Sequence, residues 1–204
     1  MKCGLCKDKK CYVGKNCTEI SEDVKDLYND TDIESMKIST SMESRYYMKK
    51  TRLEELMMYA KEMRYELLGI AFCIGFENEV RTLTRILEKD FKVSSVCCKI
   101  CGVDKSVLDL ERLHGDDGIE AMCNPVGQAL VLNSEKTDLN IIVGLCIGHD
   151  VLFTKYSEAP VTTFAVKDRV LAHNPLGAIY SKYYLVERFG LKEKDNEDHD
   201  RVRQ

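Results

Sequence analysis

A chain of 204 residues, 44% hydrophobic and 31% charged, can bury one full core and carry a small appendage besides. Its 30 basic and 34 acidic residues leave a formal net charge of -4 and form no dense Lys/Arg stripe, which argues against a nucleic-acid partner held by counterion release. The longest apolar runs, Leu67 to Gly75 and Leu139 to Gly148, are too short to span a bilayer, and Met1-Lys2-Cys3-Gly4 lacks the apolar stretch of a secretion signal. The expectation is a cytoplasmic protein without a membrane partner, in which the 10 cysteines stay mostly reduced.

Residues 1–20 are poor in aliphatics and carry C-x2-C-x4-C-x5-C at Cys3, Cys6, Cys11 and Cys17. Soft thiolates this close together can surround one tetrahedral ion, whose binding energy replaces the missing core as the source of folding. Zinc is the expected ion, and an iron-sulfur cluster stays open because the spacing follows neither standard pattern closely. Residues 21–42 read as a polar linker, with turns at Ser21-Glu22-Asp23 and Asn29-Asp30-Thr31-Asp32 and room for a short capped helix. The core then runs over 43–191, ahead of a charged tail at 192–204 with no apolar periodicity.

Between Glu43 and Leu68, apolar residues at Leu53, Leu56, Met57, Ala60, Met63 and Leu67 recur at helical steps and predict one long amphipathic helix. Short apolar runs then alternate with helical segments. Strands are expected at Gly69 to Phe76, Phe91 to Cys98, Asn140 to Cys146 and Val161 to Val166. Helices are expected over Glu79 to Lys89, Lys105 to Leu113, Val126 to Leu132 and Pro175 to Phe189. Nearly continuous apolar strands separated by helices imply an α/β fold, a three-layer α/β/α sandwich on a mainly parallel sheet, with the cysteine-rich knuckle ahead of it.

Open parallel sheets bind ligands beyond the carboxyl ends of their strands. The expected strands end at Cys73, at Cys97-Cys98-Lys99, at Cys146 with Gly148, His149 and Asp150, and at Lys167-Asp168-Arg169. Loops add Cys123-Asn124-Pro125 and His173-Asn174-Pro175. Cys97 and Cys98 must point to opposite faces if the strand continues, and Cys98 lies nearer the loop, where it makes a CxxC with Cys101. Cys73 and Cys97 taken singly are ordinary buried fillers. Cys123 sits in a loop where a small hydrophobe gains little, and Cys146 with His149 makes C-x2-H beside glycines that admit close approach of a ligand. Asn174 and Pro175 read as a helix cap and first turn, a role that leaves His173 unexplained. The metal candidates are thus Cys3, Cys6, Cys11 and Cys17 at one site and Cys73, Cys98, Cys123, Cys146 and His149 at a second, with Cys98, Cys123, His149, Asp168 and His173 as catalytic candidates.

The runs Gly69-Ile-Ala-Phe-Cys-Ile-Gly-Phe, Met122-Cys-Asn-Pro-Val-Gly-Gln-Ala, Asp138-Leu-Asn-Ile-Ile-Val-Gly-Leu-Cys-Ile-Gly-His-Asp and Val166-Lys-Asp-Arg-Val-Leu-Ala-His-Asn-Pro resemble those of a prokaryotic family described as uncharacterised metal-binding proteins, domain of unknown function 1847. The resemblance implies metal binding and assigns no reaction; the positions shared with the family are Cys73, Cys123, Cys146, His149, Asp168 and His173. Three functions compete. The first is a metalloprotein with a structural zinc at the knuckle and a zinc or iron-sulfur centre at the sheet, acting on a small-molecule substrate through redox or sulfur chemistry. The second is a metal-independent thiol enzyme using Cys98 with Cys101, or Cys123 with His149 or His173. The third is a non-catalytic sensing or protein-interaction module.

Overall fold

The computed structural model describes residues 1–115 and 118–191, so the charged tail expected at 192–204 lies outside the described residues. The chain divides into two compact units, Met1–Met63 and Arg64–Gln204. Among the described residues no helix is long and apolar enough to cross a membrane.

The first unit opens with two tight 3-10 turns, Cys3–Leu5 and Lys10–Val13, followed by helices α1 (Ser21–Lys25), α2 (Asp30–Tyr46) and α3 (Arg52–Glu62). Most of the expected linker is therefore helical. A capping box explains why: Asn29 accepts from the Asp32 N–H at 3.0 Å and the Asp32 carboxylate accepts from the Asn29 N–H at 3.2 Å. The single helix expected from Glu43 to Leu68 is also broken. Met48 takes a left-handed φ of 56°, and a second capping box, Thr51 with Glu54, starts α3 afresh. Lys50 and the Thr51 N–H both bond the Glu54 carboxylate, at 2.9 and 2.8 Å. Ser35 and Tyr59 hydroxyls meet at 2.7 Å and tie α2 to α3.

The second unit is built on four parallel strands in the order β2-β1-β3-β4: β1 (Leu67–Phe72), β2 (Lys92–Cys97), β3 (Leu139–Val143) and β4 (Val161–Ala165). Helix α4 (Glu77–Leu87) leads from β1 to β2, α5 (Pro125–Glu135) precedes β3, and α6 (His149–Tyr156) leads from β3 to β4. Right-handed crossovers place α4 on one face and α5 and α6 on the other, because the chain moves outward in opposite directions along the sheet. Every residue of β3 is buried, as expected of a strand covered on both sides. Helix α4 turns Val80, Leu83 and Leu87 inward at three- and four-residue steps, and Phe153 of α6 is wholly buried.

Polar groups set the register. The Asp138 carboxylate accepts from the N–H groups of Glu66 and Leu67, each at 2.8 Å, and so aligns the start of β1 with β3. Asn140, buried inside β3, accepts from the Thr137 hydroxyl and donates to the Ser157 hydroxyl, both at 2.8 Å. Its neighbour on β1 is Gly69, where any Cβ would collide with the Asn140 side chain.

Two expected helices are largely absent. Over residues 105–113 only the turn Lys105–Leu108 forms. Here the Asp104 carboxylate is engaged by the Ser106 N–H, the Glu120 N–H and Arg112 at 2.9, 2.7 and 2.7 Å, while Lys105 pairs with Glu120 at 2.6 Å. Charged side chains, rather than an apolar face, close this loop. Between Pro175 and Phe189 the chain gives only α7 (Gly177–Tyr180) and a wide turn, Tyr184–Arg188, separated by an extended Ser181. Leu185 is the one buried residue in those two elements, so no continuous apolar stripe supports a long helix. Asn174 does not cap α7, whose preceding residue is Leu176.

The strand order reverses direction at β1, the switch point at which open parallel sheets form their ligand crevice, here beyond the carboxyl ends of β1 and β3.

Candidate thiol centre

Three sulfurs gather at that crevice from three parts of the chain. Cys73 follows β1 and its N–H bonds the Val143 carbonyl of β3 at 3.2 Å. Cys98 follows β2, with its N–H on the Phe72 carbonyl and its own carbonyl taking the Asn124 N–H, both at 2.8 Å. That second bond pulls the Cys123 loop onto the end of β2. Asn124 then caps α5 by accepting from the Gly127 N–H at 2.8 Å, with Pro125 at the first helical position, as the Asn-Pro pair predicts. As a result Cys123 Sγ lies 3.9 Å from Cys98 Sγ, and the Ile74 N–H points at Cys98 Sγ from 3.4 Å. Cys98 and Cys73 are only 2% and 8% exposed, and Cys123 is half-buried.

These thiols do not share their protons equally. Cys98 keeps its proton: its pKa is pushed far up by the hydrogen bonds it makes to Cys123 and Cys73 and by burial. Its partners are ionised in consequence. Cys123 is held down to about 4, first by the Cys98 hydrogen bond and then by one from His149. Cys73 is held down to about 5, first by Cys98, with the Gly75 N–H and Lys167 adding to it against the cost of burial. His149 is raised in turn, chiefly by its bond to Cys123.

Cations border the sulfurs. Lys167 Nζ, just after β4, is 3.1 Å from Cys73 Sγ and 4.6 Å from the centre of the Phe76 ring. Arg169 Nη2 is 3.2 Å from Cys146 Sγ. Phe76 can take its place because Gly144 has no side chain; a Cβ there would run into the ring. Lys99 donates to the Ala121 carbonyl at 2.6 Å and helps hold the Cys123 loop.

The structure thus brings Cys73, Cys98, Cys123 and His149 together and puts Cys146 at the end of the adjoining strand on Arg169. Cys101 is exposed at a left-handed φ of 69°, and Cys98 pairs with Cys123 and Cys73. Asp168 has a backbone duty: its Oδ1 accepts from the Val170 and Leu171 N–H groups at 2.9 and 2.8 Å. His173 is exposed, with Nδ1 accepting from the Asp168 N–H at 3.1 Å and its ring 4.5 Å from that of Phe76. Sequence reasoning passed over Gln128. This fully buried residue of α5 donates through Nε2 to the carbonyls of Phe72 and Val96 at 3.1 and 2.7 Å, Phe72 being the last residue of β1, one before Cys73, and Val96 lying two before Cys98. The signal was a lone amide on the apolar stripe Pro125, Ala129 and Leu132.

The knuckle cysteines are all exposed. Cys11 and Cys17 Sγ each lie 3.8 Å from a carbonyl two residues back, and the Cys6 thiol is lowered by backbone hydrogen bonds from Lys9 and Asp8. Among the described residues no three His, Cys, Asp or Glu side chains stand in a metal-holding arrangement. The core donors nonetheless fit a soft ion in kind, as thiolates with an imidazole. The Cys98–Cys123 pair, at 3.9 Å, also fits in spacing, since sulfurs about 2.3 Å from a tetrahedral centre lie about 3.8 Å apart.

The chain matches the family described as "Protein of unknown function (DUF1847)" over residues 12–164, a stretch that holds Cys73, Cys98, Cys123, Cys146 and His149 and leaves out Cys3, Cys6, Cys11, Asp168 and His173. It is 56% identical over 187 residues to an uncharacterized protein of Methanocaldococcus jannaschii, an alignment covering 91% of this chain and 96% of that protein. No solved structure matches it. A family match across most of the chain and a full-length archaeal relative together establish that this protein belongs to the prokaryotic DUF1847 family.

Proposed function

We propose that the crevice is a soft-metal centre, in which Cys73, Cys98 and Cys123 are the thiolate ligands and His149 the nitrogen donor, serving redox or sulfur chemistry on a small molecule in the cytoplasm. The observation that carries this reading is the mutual frustration of the three thiols: crowded together away from water, two ionise only while the third keeps its proton. A divalent cation or an iron-sulfur cluster supplies the positive charge that lets all three ionise, and it is the natural complement of such a site. Cys146 stands beside it, on Arg169. Cys3, Cys6, Cys11 and Cys17 would hold a separate structural zinc, whose binding would order a segment that has no buried residue of its own. Metal and acid-labile sulfide measured in anaerobically purified protein test both assignments. Two centres are expected in the natural chain, and one after Cys98→Ser; metal content unchanged by that substitution overturns the core site.

A second reading is a metal-independent thiol enzyme. It is favoured by the Cys123–His149 hydrogen bond, which makes a thiolate–imidazolium pair of the kind that attacks electrophilic carbon or sulfur. Stoichiometric alkylation of Cys123 near pH 6 in protein carrying no metal at the core supports it; sluggish alkylation of every core thiol under those conditions removes it.

A further inference from the structure

Lys167 and Arg169 come from one short segment after β4, and both end on sulfur, at 3.1 Å from Cys73 and 3.2 Å from Cys146. Among the described residues neither meets a carboxylate. The acid between them, Asp168, faces the N–H groups of Val170 and Leu171 instead. Lys167 is held in place from below by the Phe76 ring, which Gly144 admits. His173 lies against the same ring, and because its Nδ1 accepts from the Asp168 N–H, its proton is on Nε2. Arg169, His173 and the neighbouring Ile147 are exposed, so this side of the crevice opens to solvent.

Sulfur, even as the Cys73 thiolate, spreads its charge over a large atom and holds these donors at 3.1 and 3.2 Å, whereas ammonium and guanidinium groups bond oxyanions at about 2.7–2.9 Å. Two cations resting on sulfur at an open rim are therefore placed to take an oxyanion in closer contact. We propose that Lys167 and Arg169 form an oxyanion subsite beside Cys73 and Cys146, so that the ligand of this centre is a small molecule bearing a carboxylate, phosphate or sulfur oxyanion. The inference rests on the crevice being the working site, and it holds with or without an ion on the thiols.

Paired alkylation of the full chain tests it. Iodoacetate and iodoacetamide undergo the same reaction: the thiolate sulfur forms a bond to the CH2 carbon and iodide leaves with the bonding pair. They differ in carrying a carboxylate or a neutral amide. Rates at Cys73 and Cys146 are read by peptide mass spectrometry on protein as isolated and after chelator treatment, with exposed Cys101 and the urea-unfolded chain as references. The iodoacetate-to-iodoacetamide ratio at Cys73 or Cys146 is expected to exceed that of the references by about tenfold, the worth of one charge-assisted contact. Inorganic phosphate or acetate should suppress the excess. Lys167→Met and Arg169→Met should each reduce it, and Arg169→Lys should restore most of it. Because the ratio cancels changes in thiol reactivity and in folding, a merely structural role for the two cations leaves it unmoved. A ratio equal to that of the references, or one that survives both Met substitutions together, overturns the subsite. Failure of the metal assignment would appear separately, in elemental analysis, and would leave this ratio untouched.

Discussion

The chain holds cysteines in two opposite settings. Residues 1–20 carry four thiols close in sequence, all exposed, each with little around it but its own turn. The crevice of the second unit gathers Cys73, Cys98 and Cys123 from positions at least 25 residues apart, two of them buried, with cations and an imidazole around them. The difference teaches where the chemistry of a thiol comes from. In the knuckle, local spacing offers thiols that only short turns hold. In the crevice, the sheet does the organising, and the neighbours set each proton.

The contrast breaks most sharply at Cys98. Replacing it with Ala removes the largest cause of ionisation at both Cys73 and Cys123, so both pKa values should climb towards their ordinary 9.0 and the absorbance of thiolate at pH 6 should largely vanish. If Cys123 still ionises near 4 in that variant, the shared-proton account is wrong. Gly144→Ala comes next. It combines a left-handed φ of 64° with a clash on the Phe76 ring, and should cost about 1–3 kcal/mol in urea unfolding. It should also loosen Lys167 from Cys73, which a slower alkylation of Cys73 near pH 6 would register.

His149→Gln should act on Cys123 less than Cys98→Ala does, because His149 is the second cause and Cys98 the first. Its pH signature has a definite sign. The depressed Cys123 contributes stability that is complete above 9.0 and is lost as pH falls through about 4. The raised His149 contributes stability present below its ordinary 6.5 and lost as pH rises through its elevated folded value. The thiolate–imidazolium pair therefore exists from about pH 4 up to the raised folded value of His149. A plot of stability difference between His149→Gln and the natural chain should peak inside that window; a flat difference across it would mean that the pair does not form. The smallest effect is expected from the knuckle: Cys6→Ser with Cys11→Ser should leave the titration of Cys73 and Cys123 where it was, since every cause that sets those thiols lies in the second unit.

The parts of this arrangement that were legible in the sequence are those with a local cause. Apolar runs marked β1 to β4, the stripe Val80, Leu83 and Leu87 marked α4, and Asn124-Pro125 marked the start of α5 that presents Cys123. The approach of Cys73 and Cys98 was expected from strand ends, and that of Cys123 from the loop ahead of the Asn124-Pro125 helix start. What was not legible depends on partners far along the chain. The helix expected at 105–113 gave way to Asp104 and Glu120 reaching Arg112 and Lys105 across the loop, contacts no periodicity announces. Asp168 and His173 were marked by their place after a strand, but no local pattern announced that Asp168 Oδ1 accepts from the Val170 and Leu171 N–H groups or that His173 Nδ1 accepts from the Asp168 N–H. Lys167 and Arg169, placed by the sequence at the end of the fourth strand without an assigned role, are the residues that touch sulfur.

The buried amide of Gln128 has a mechanical consequence. By holding the Phe72 and Val96 carbonyls with a single nitrogen, it acts as a fixed gauge between the tips of two neighbouring strands, and the gap between the sulfurs beyond them inherits the stiffness of the sheet instead of the play of a loop. A hydrocarbon side chain of equal length would keep the helix packed while releasing that gauge, so the crevice would lose its calibration well before the protein lost its fold.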